Sequence, residues 1–119
     1  MIIAPDDRVR SLGDAKLHAE GSHVLYWMVG YRRPRWNFAL QHAAARAASL
    51  GKPLLILEAL RVGYPWASER LHRFILDGMR ANARFFAKRN VVYVPYVAEA
   101  HGDGRGLRGA LAADACLGV

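Results

Sequence analysis

The chain has 119 residues, 53% of them hydrophobic and 23% charged, with 17 Lys+Arg against 10 Asp+Glu for a formal charge of +7. That length fits one domain able to bury a core, and that balance excludes a disordered chain. No apolar run reaches the ~18 residues of a spanning helix, and the single cysteine, Cys116, excludes an internal disulfide.

Fourteen of the 17 basic residues are arginine. Arginine suits bidentate phosphate contacts and so points to a polyanionic partner such as nucleic acid. A GC-rich genome gives the same bias with no partner at all. The start, Met1-Ile2-Ile3-Ala4-Pro5-Asp6-Asp7-Arg8, lacks the basic flank and apolar core of a signal peptide. With one cysteine, this places the chain in a reducing cytoplasm.

Residues 1–22 show no sustained periodicity and read as an irregular leader with a strand-like piece around Val9. The run His23-Val24-Leu25-Tyr26-Trp27-Met28-Val29, bounded by Gly21-Ser22 and Gly30, reads as a fully buried strand. A basic, aromatic loop follows, Tyr31-Arg32-Arg33-Pro34-Arg35, and a helix opens at Trp36-Asn37. Trp36, Leu40, Ala43, Ala47 and Leu50 form its apolar stripe; Gly51 caps it and Pro53 stops it.

Pro53 to Leu60 is a second buried strand, with Glu58 near its carboxyl end. After the turn-rich loop Arg61 to Trp66, Ser68 caps a long helix running to about Arg89. Leu71, Phe74, Ile75, Gly78, Met79, Asn82, Phe85 and Phe86 mark its core face, and Glu69 and Arg73 form a stabilising i,i+4 pair. Val91 to Val97 is a third strand, which Pro95 assigns to an edge or a frayed end. Gly102, Gly104 and Gly106 make a flexible turn, Arg105 to Ala113 a short helix, and Ala115 to Val119 a fourth strand.

This series predicts an α/β fold: a Rossmann-like parallel sheet with right-handed crossovers and the first strand central. Two helices cover one face and one short helix the other. Domain boundaries normally fall in polar linkers rather than in buried strands. The expectation is therefore a leader over 1–22 and a partial α/β domain over 23–119, truncated in its fourth strand, from a longer protein.

The chemistry-bearing residues are sparse. No Gly-x-Gly-x-x-Gly follows a strand, and Gly102, Gly104 and Gly106 fit neither phosphate-binding fingerprint. The histidines at 18, 23, 42, 72 and 101 lack metal-ligand spacing, so no metal is expected. His23 reads as a packing or edge residue and Cys116 as structural. Glu58 and Glu99 stand alone; each can accept a hydrogen bond from a ligand at the strand ends, and the plainer reading is a salt bridge to an arginine. The loop from Tyr31 to Trp36 can stack on a ring and hold phosphates, or form an interdomain contact.

Taken together, several stretches resemble the amino-terminal half-domain of DNA photolyases, most closely the class II cyclobutane pyrimidine dimer type. They are Arg8-Val9-Arg10-Ser11-Leu12 with Gly21; Val24-Leu25-Tyr26-Trp27-Met28; and Arg33, Asn37 and Ala39-Leu40. Pro53-Leu54, then Ala67, Arg70 and Arg73-Phe74-Ile75-Leu76-Asp77-Gly78-Met79, and finally Leu107-Arg108-Gly109-Ala110-Leu111, complete the series. Their order and spacing carry the likeness over nearly the whole chain.

The resemblance implies light-driven repair of pyrimidine dimers in DNA by a complete flavoprotein. It puts FAD and most contacts to damaged DNA on a carboxyl-terminal helical domain outside this sequence. The α/β part would be an antenna and scaffold domain, inactive alone, sheltering a deazaflavin or a folate against that helical domain. No catalytic residue carries over. Met28, Arg33, Asn37 and Glu58 are the expected lining of an antenna groove, on strand-end position, and Tyr26 and Trp27 are expected in the core. The alternatives are a cryptochrome-like photosensory protein and a free-standing nucleotide-binding α/β module.

Overall fold

The computed structural model describes residues 4–119. Met1, Ile2 and Ile3, the start of the stretch read for a signal peptide, lie outside them. Four parallel strands form one sheet: β1 (His23–Trp27), β2 (Leu54–Leu60), β3 (Val92–Val97) and β4 (Ala115–Gly118), in the order β3-β2-β1-β4. Three helices connect them: α1 (Phe38–Leu50), α2 (Glu69–Phe86) and α3 (Leu107–Ala113). The α/β architecture is the one the sequence predicts, with β1 an inner strand.

The crossover rule explains the layers. The chain steps outward from β1 to β2 to β3, and right-handed connections put α1 and α2 on one face. It then returns past β2 and β1 to reach β4, and the same handedness puts α3 on the other face. Side chains alternate accordingly. Val24, Tyr26, Met28, Leu54 and Ile56 pack with Leu40, Ala43, Ala47 and Phe86 on the α1/α2 face. Leu25, Leu57 and Ala115 pack with Leu107 and Leu111 on the α3 face.

Local signals set the helix ends. Asn37 and Ser68 cap α1 and α2, their side chains accepting from Leu40 N and Leu71 N. Gly51 closes α1 in the left-handed conformation, φ 64°. Pro95 lies in β3, which is an edge strand.

Some expectations fail. Trp36 is not on the stripe of α1; it precedes the cap and is 82% exposed. In α2 only Met79, Asn82 and Phe86 are buried, while Phe74 is 78% exposed. An 18-residue helix is about 27 Å long, against about 20 Å for the six residues of β3. Only its rear half is seated on the sheet, so periodicity overstates the buried face. The leader has one 3₁₀ turn, Asp6–Arg8, and Val9 is extended without joining the sheet. His18 N donates to Cys116 O at 3.0 Å, tying the leader to β4.

Candidate functional site

Parallel α/β sheets bind ligands beyond the carboxyl ends of their strands. Here that edge holds two different constructions, one on each face of the sheet.

On the α1/α2 face lies a closed polar knot. Glu58, 1% exposed, is surrounded by partners from three other segments. Its Oε1 accepts from the Tyr93 hydroxyl at 2.6 Å and from Asn82 Nδ2 at 2.8 Å. Its Oε2 meets Arg32 Nη1 at 3.3 Å, and Arg32 Nη2 also donates to Ala59 O at 2.8 Å. Asn82 Nδ2 further reaches Arg32 O at 3.2 Å and the Met28 sulfur at 3.7 Å. A buried carboxylate persists only with a cation and several donors around it. Arg32, Asn82 and Tyr93 supply them.

A second anchor adjoins the knot. Asn37 caps α1 through Oδ1, while its Nδ2 reaches Tyr26 Oη at 2.9 Å and the carbonyls of Tyr31 and Arg33, each at 3.0 Å. One buried amide therefore fixes both the helix start and the loop leading to it. Both phenols near Glu58 hold their protons tightly. Burial pushes the Tyr26 pKa up and the Glu58 charge adds to it, against an opposing hydrogen bond from Asn37. Burial also pushes Tyr93 up, reinforced by its hydrogen bond to Glu58 and that carboxylate's charge.

On the α3 face the edge is open. A cleft of about 710 Å³ lies between the loop after β2 and the loop before α3, with Trp27 of β1 in its lining. Arg61, Arg105 and Arg108 line it, as do Tyr64 and Tyr96. Arg108 sits over the Trp27 ring, its Cζ 4.2 Å from the centroid. Trp27 is 43% exposed, so it is a cleft residue rather than the core residue expected. The cleft's roof depends on two close approaches: a Cβ on Gly63 would collide with the His101 ring, and one on Gly104 with the Tyr96 ring. The Tyr64 hydroxyl is buried without a hydrogen-bond partner. Just beyond it Trp66, 91% exposed, holds a left-handed φ of 69°, a strained state for a tryptophan. A further crevice of about 650 Å³ separates the leader from β4 and the front of α1.

Of the four residues expected to line a groove, Met28, Asn37 and Glu58 are sealed in the interior. Arg33 is at the surface, donating to Trp36 O at 3.1 Å and stacking on Tyr31 at 5.0 Å. None of the four lines either crevice. The salt-bridge reading of Glu58 holds; Arg32 is the partner. His23 is buried, its Nε2 3.0 Å from Leu111 O, and Cys116 is buried with Sγ 3.1 Å from Gly21 O. Sequence reasoning missed Arg61, Arg105, Arg108 and Tyr64. The signal that could have found them was an arginine in each loop following β2 and β3 and another at the start of α3, with Tyr64 near the first. Among the described residues no group of His, Cys, Asp and Glu could hold a metal ion, and no helix is long and apolar enough to cross a membrane.

The chain is similar to a deoxyribodipyrimidine photo-lyase. That protein, from Methanothermobacter thermautotrophicus, is 39% identical over 74 residues. The matched stretch covers 62% of this chain and 17% of the relative's length. No protein-family profile matches the chain.

Proposed function

We propose that this chain forms the amino-terminal α/β part of a deoxyribodipyrimidine photolyase, acting as antenna and scaffold domain for light-driven repair of cyclobutane pyrimidine dimers. The observation that carries this reading is the 39% identity to a protein of that name. It is supported by the series of short motifs, spread along the same chain, that resembles the class II type. FAD and the principal contacts to damaged DNA would lie on a separate helical domain, outside residues 23–119.

The α3-face cleft fits a planar antenna chromophore better than the α1/α2 face does. Its volume is within the usual range for small-molecule sites, and aromatic side chains line it. A deazaflavin or folate held there would supply light absorption. The chain's own residues would supply a stacking wall at Trp27, Tyr64 and Tyr96. Met28, Asn37 and Glu58 would act behind that wall, fixing the strand ends and the loop after β1, with Arg33 at the interdomain surface.

The test is to express the complete reading frame and illuminate it with blue light in the presence of an oligonucleotide bearing one thymine dimer. Light-dependent loss of the dimer is the expected result. A flavin-loaded product that leaves the dimer intact would sink the repair role and leave a cryptochrome-like photosensory role. A free-standing nucleotide-binding module is the second reading, favoured by the arginines around the cleft. Saturable heat on titration with AMP or ATP would support that reading.

A further inference from the structure

We propose that the surface where the loop after β1 meets the end of α2 binds single-stranded nucleic acid, with Trp36 stacking on a base and Arg35 and Arg89 holding the adjoining phosphates. None of these residues lines the α3-face cleft, so the site is independent of the antenna reading. Charge along the chain comes first. Residues 21–57 contain five Lys+Arg and no Asp or Glu, and residues 78–98 contain four Lys+Arg and no acid either. The fold brings these two acid-free stretches together at Phe85. The guanidinium carbon of Arg35 lies 5.4 Å from the centre of that ring, and that of Arg89 lies 4.3 Å from it. Phe85 itself is anchored, packed against the core and edge-on to Phe86.

Two guanidinium groups on one ring lie within a Debye length of each other, ~10 Å at 0.1 M salt, and repel. Both side chains belong to exposed residues, and among the described residues neither is in an ion pair. Glu58, the next acid along the chain from the first stretch, is buried and already held by Arg32. A phosphate beside them relieves the repulsion, and the planar fork of arginine fits it two bonds at a time. Arg84 and Lys88, also exposed, extend the positive charge around this end of α2. The aromatic component is Trp36. It is 82% exposed and holds a left-handed φ of 53°, a strained state for a bulky residue. Nε and Nη2 of Arg33 both donate to its carbonyl, at 3.3 and 3.1 Å, so the strained turn is held in place. An exposed indole fixed next to arginines is a stacking platform, and an unpaired base can lie on it. A duplex, with its bases stacked inside, offers this surface its phosphates alone. An acidic protein surface would match the charge and leave the indole unused.

The experiment follows the anisotropy of a fluorescein-labelled oligothymidylate of about a dozen nucleotides as the purified chain is added, over a series of salt concentrations. The single strand should bind at least about fivefold more tightly than its duplex with oligoadenylate. Trp36→Ala should weaken single-strand binding at least about fivefold and leave its salt dependence unchanged. Arg35→Gln and Arg89→Gln should each lower the slope of log affinity against log salt by about 0.7, one phosphate contact apiece. Arg10→Gln, the same charge change in the leader, should leave that slope unchanged. A cation at position 89 also favours the carboxyl end of α2 through the helix dipole. Arg89→Lys keeps that charge and loses the fork; it replaces Arg89→Gln if circular dichroism shows the latter poorly folded, and it too should weaken binding. Where the chain is poorly folded by itself, the same variants are compared in the complete reading frame. An equal loss with Arg10→Gln would overturn the site, since binding would then follow total charge. Duplex binding as tight as that of the single strand, with Trp36→Ala neutral, would overturn the stacking. Polyglutamate binding as tightly as oligothymidylate, at equal charge concentration, would overturn nucleic acid as the partner and make the patch a seat for an acidic protein surface.

Discussion

The two faces of one sheet edge handle arginine in opposite ways. On the α1/α2 face Arg32 is spent on Glu58 and on the Ala59 carbonyl, and the result is a closed junction. On the α3 face Arg61, Arg105 and Arg108 surround open space. Adjacent residues of the same strand separate them. Glu58 points to one side, while Leu57 and Ala59 belong to the lining of the cleft on the other. Charged groups at the ends of parallel strands are therefore not equivalent. Those with a carboxylate opposite them stabilise the fold, and those without one are free to meet a ligand.

If the two faces differ in this way, substitutions in the knot change stability and substitutions in the cleft change binding. Glu58→Ala should have the largest effect. It strands Arg32 and leaves Asn82 and Tyr93 without their acceptor, and removing one partner of a buried pair costs about 3 kcal/mol. Urea denaturation measures this; a loss below about 1 kcal/mol would mean the knot is not what holds this edge. Asn37→Ala comes next, at about 2 kcal/mol, because one side chain provides both the cap of α1 and the ties to Tyr31 and Arg33.

Tyr93→Phe sharpens the contrast through pH. It should lower stability by about 1 kcal/mol at neutral pH, where a hydrogen bond to Glu58 is lost. The folded protein holds the Tyr93 proton above the ordinary phenol value of 10.0. Below about pH 10 both states are protonated and that stabilisation is complete. As pH rises past about 10 the unfolded state releases its proton first, so the folded state loses ground. Denaturation at about pH 9, 10 and 11 should show a steeper alkaline decline for the parent than for Tyr93→Phe. Parallel curves would refute the buried-phenol assignment.

Gly104→Ala tests the cleft's roof. A methyl group there meets the Tyr96 ring at a φ of +74°, and a loss of about 1 kcal/mol is expected together with weaker ligand binding. Arg105→Gln should be the mildest for the fold, within about 0.5 kcal/mol of the parent. A large loss of stability there would mean that the cleft arginines are structural after all.

Much of the fold was legible in the residues. The apolar runs His23 to Val29, Pro53 to Leu60 and Val91 to Val97, the caps at Ser68 and Gly51, and the three intervening helices follow from short-range periodicity and turn chemistry. Those fix the α/β class, and with the handedness rule they fix which helix covers which face. The pattern of β1 and β2 was not enough to assign faces. Both strands are buried on both sides, so their sequences do not alternate. Spacing alone could not say whether Glu58 points toward α2 or toward the cleft.

The site depended on that choice. Glu58, Asn82 and Tyr93 come together from positions tens of residues apart, and no local signal links them. The same holds for Trp27, Tyr64 and Arg108 in the cleft. Asn82 was correctly placed on the inner face of α2, but only the packed sheet gave it Glu58 to bind. Helix length against strand length then exposed Phe74, which periodicity had assigned to the core. The elements and their order were written in the chain, because those rest on contacts between near neighbours. Which charges are paired and which are free was settled only by packing, because that rests on what lies across the sheet edge.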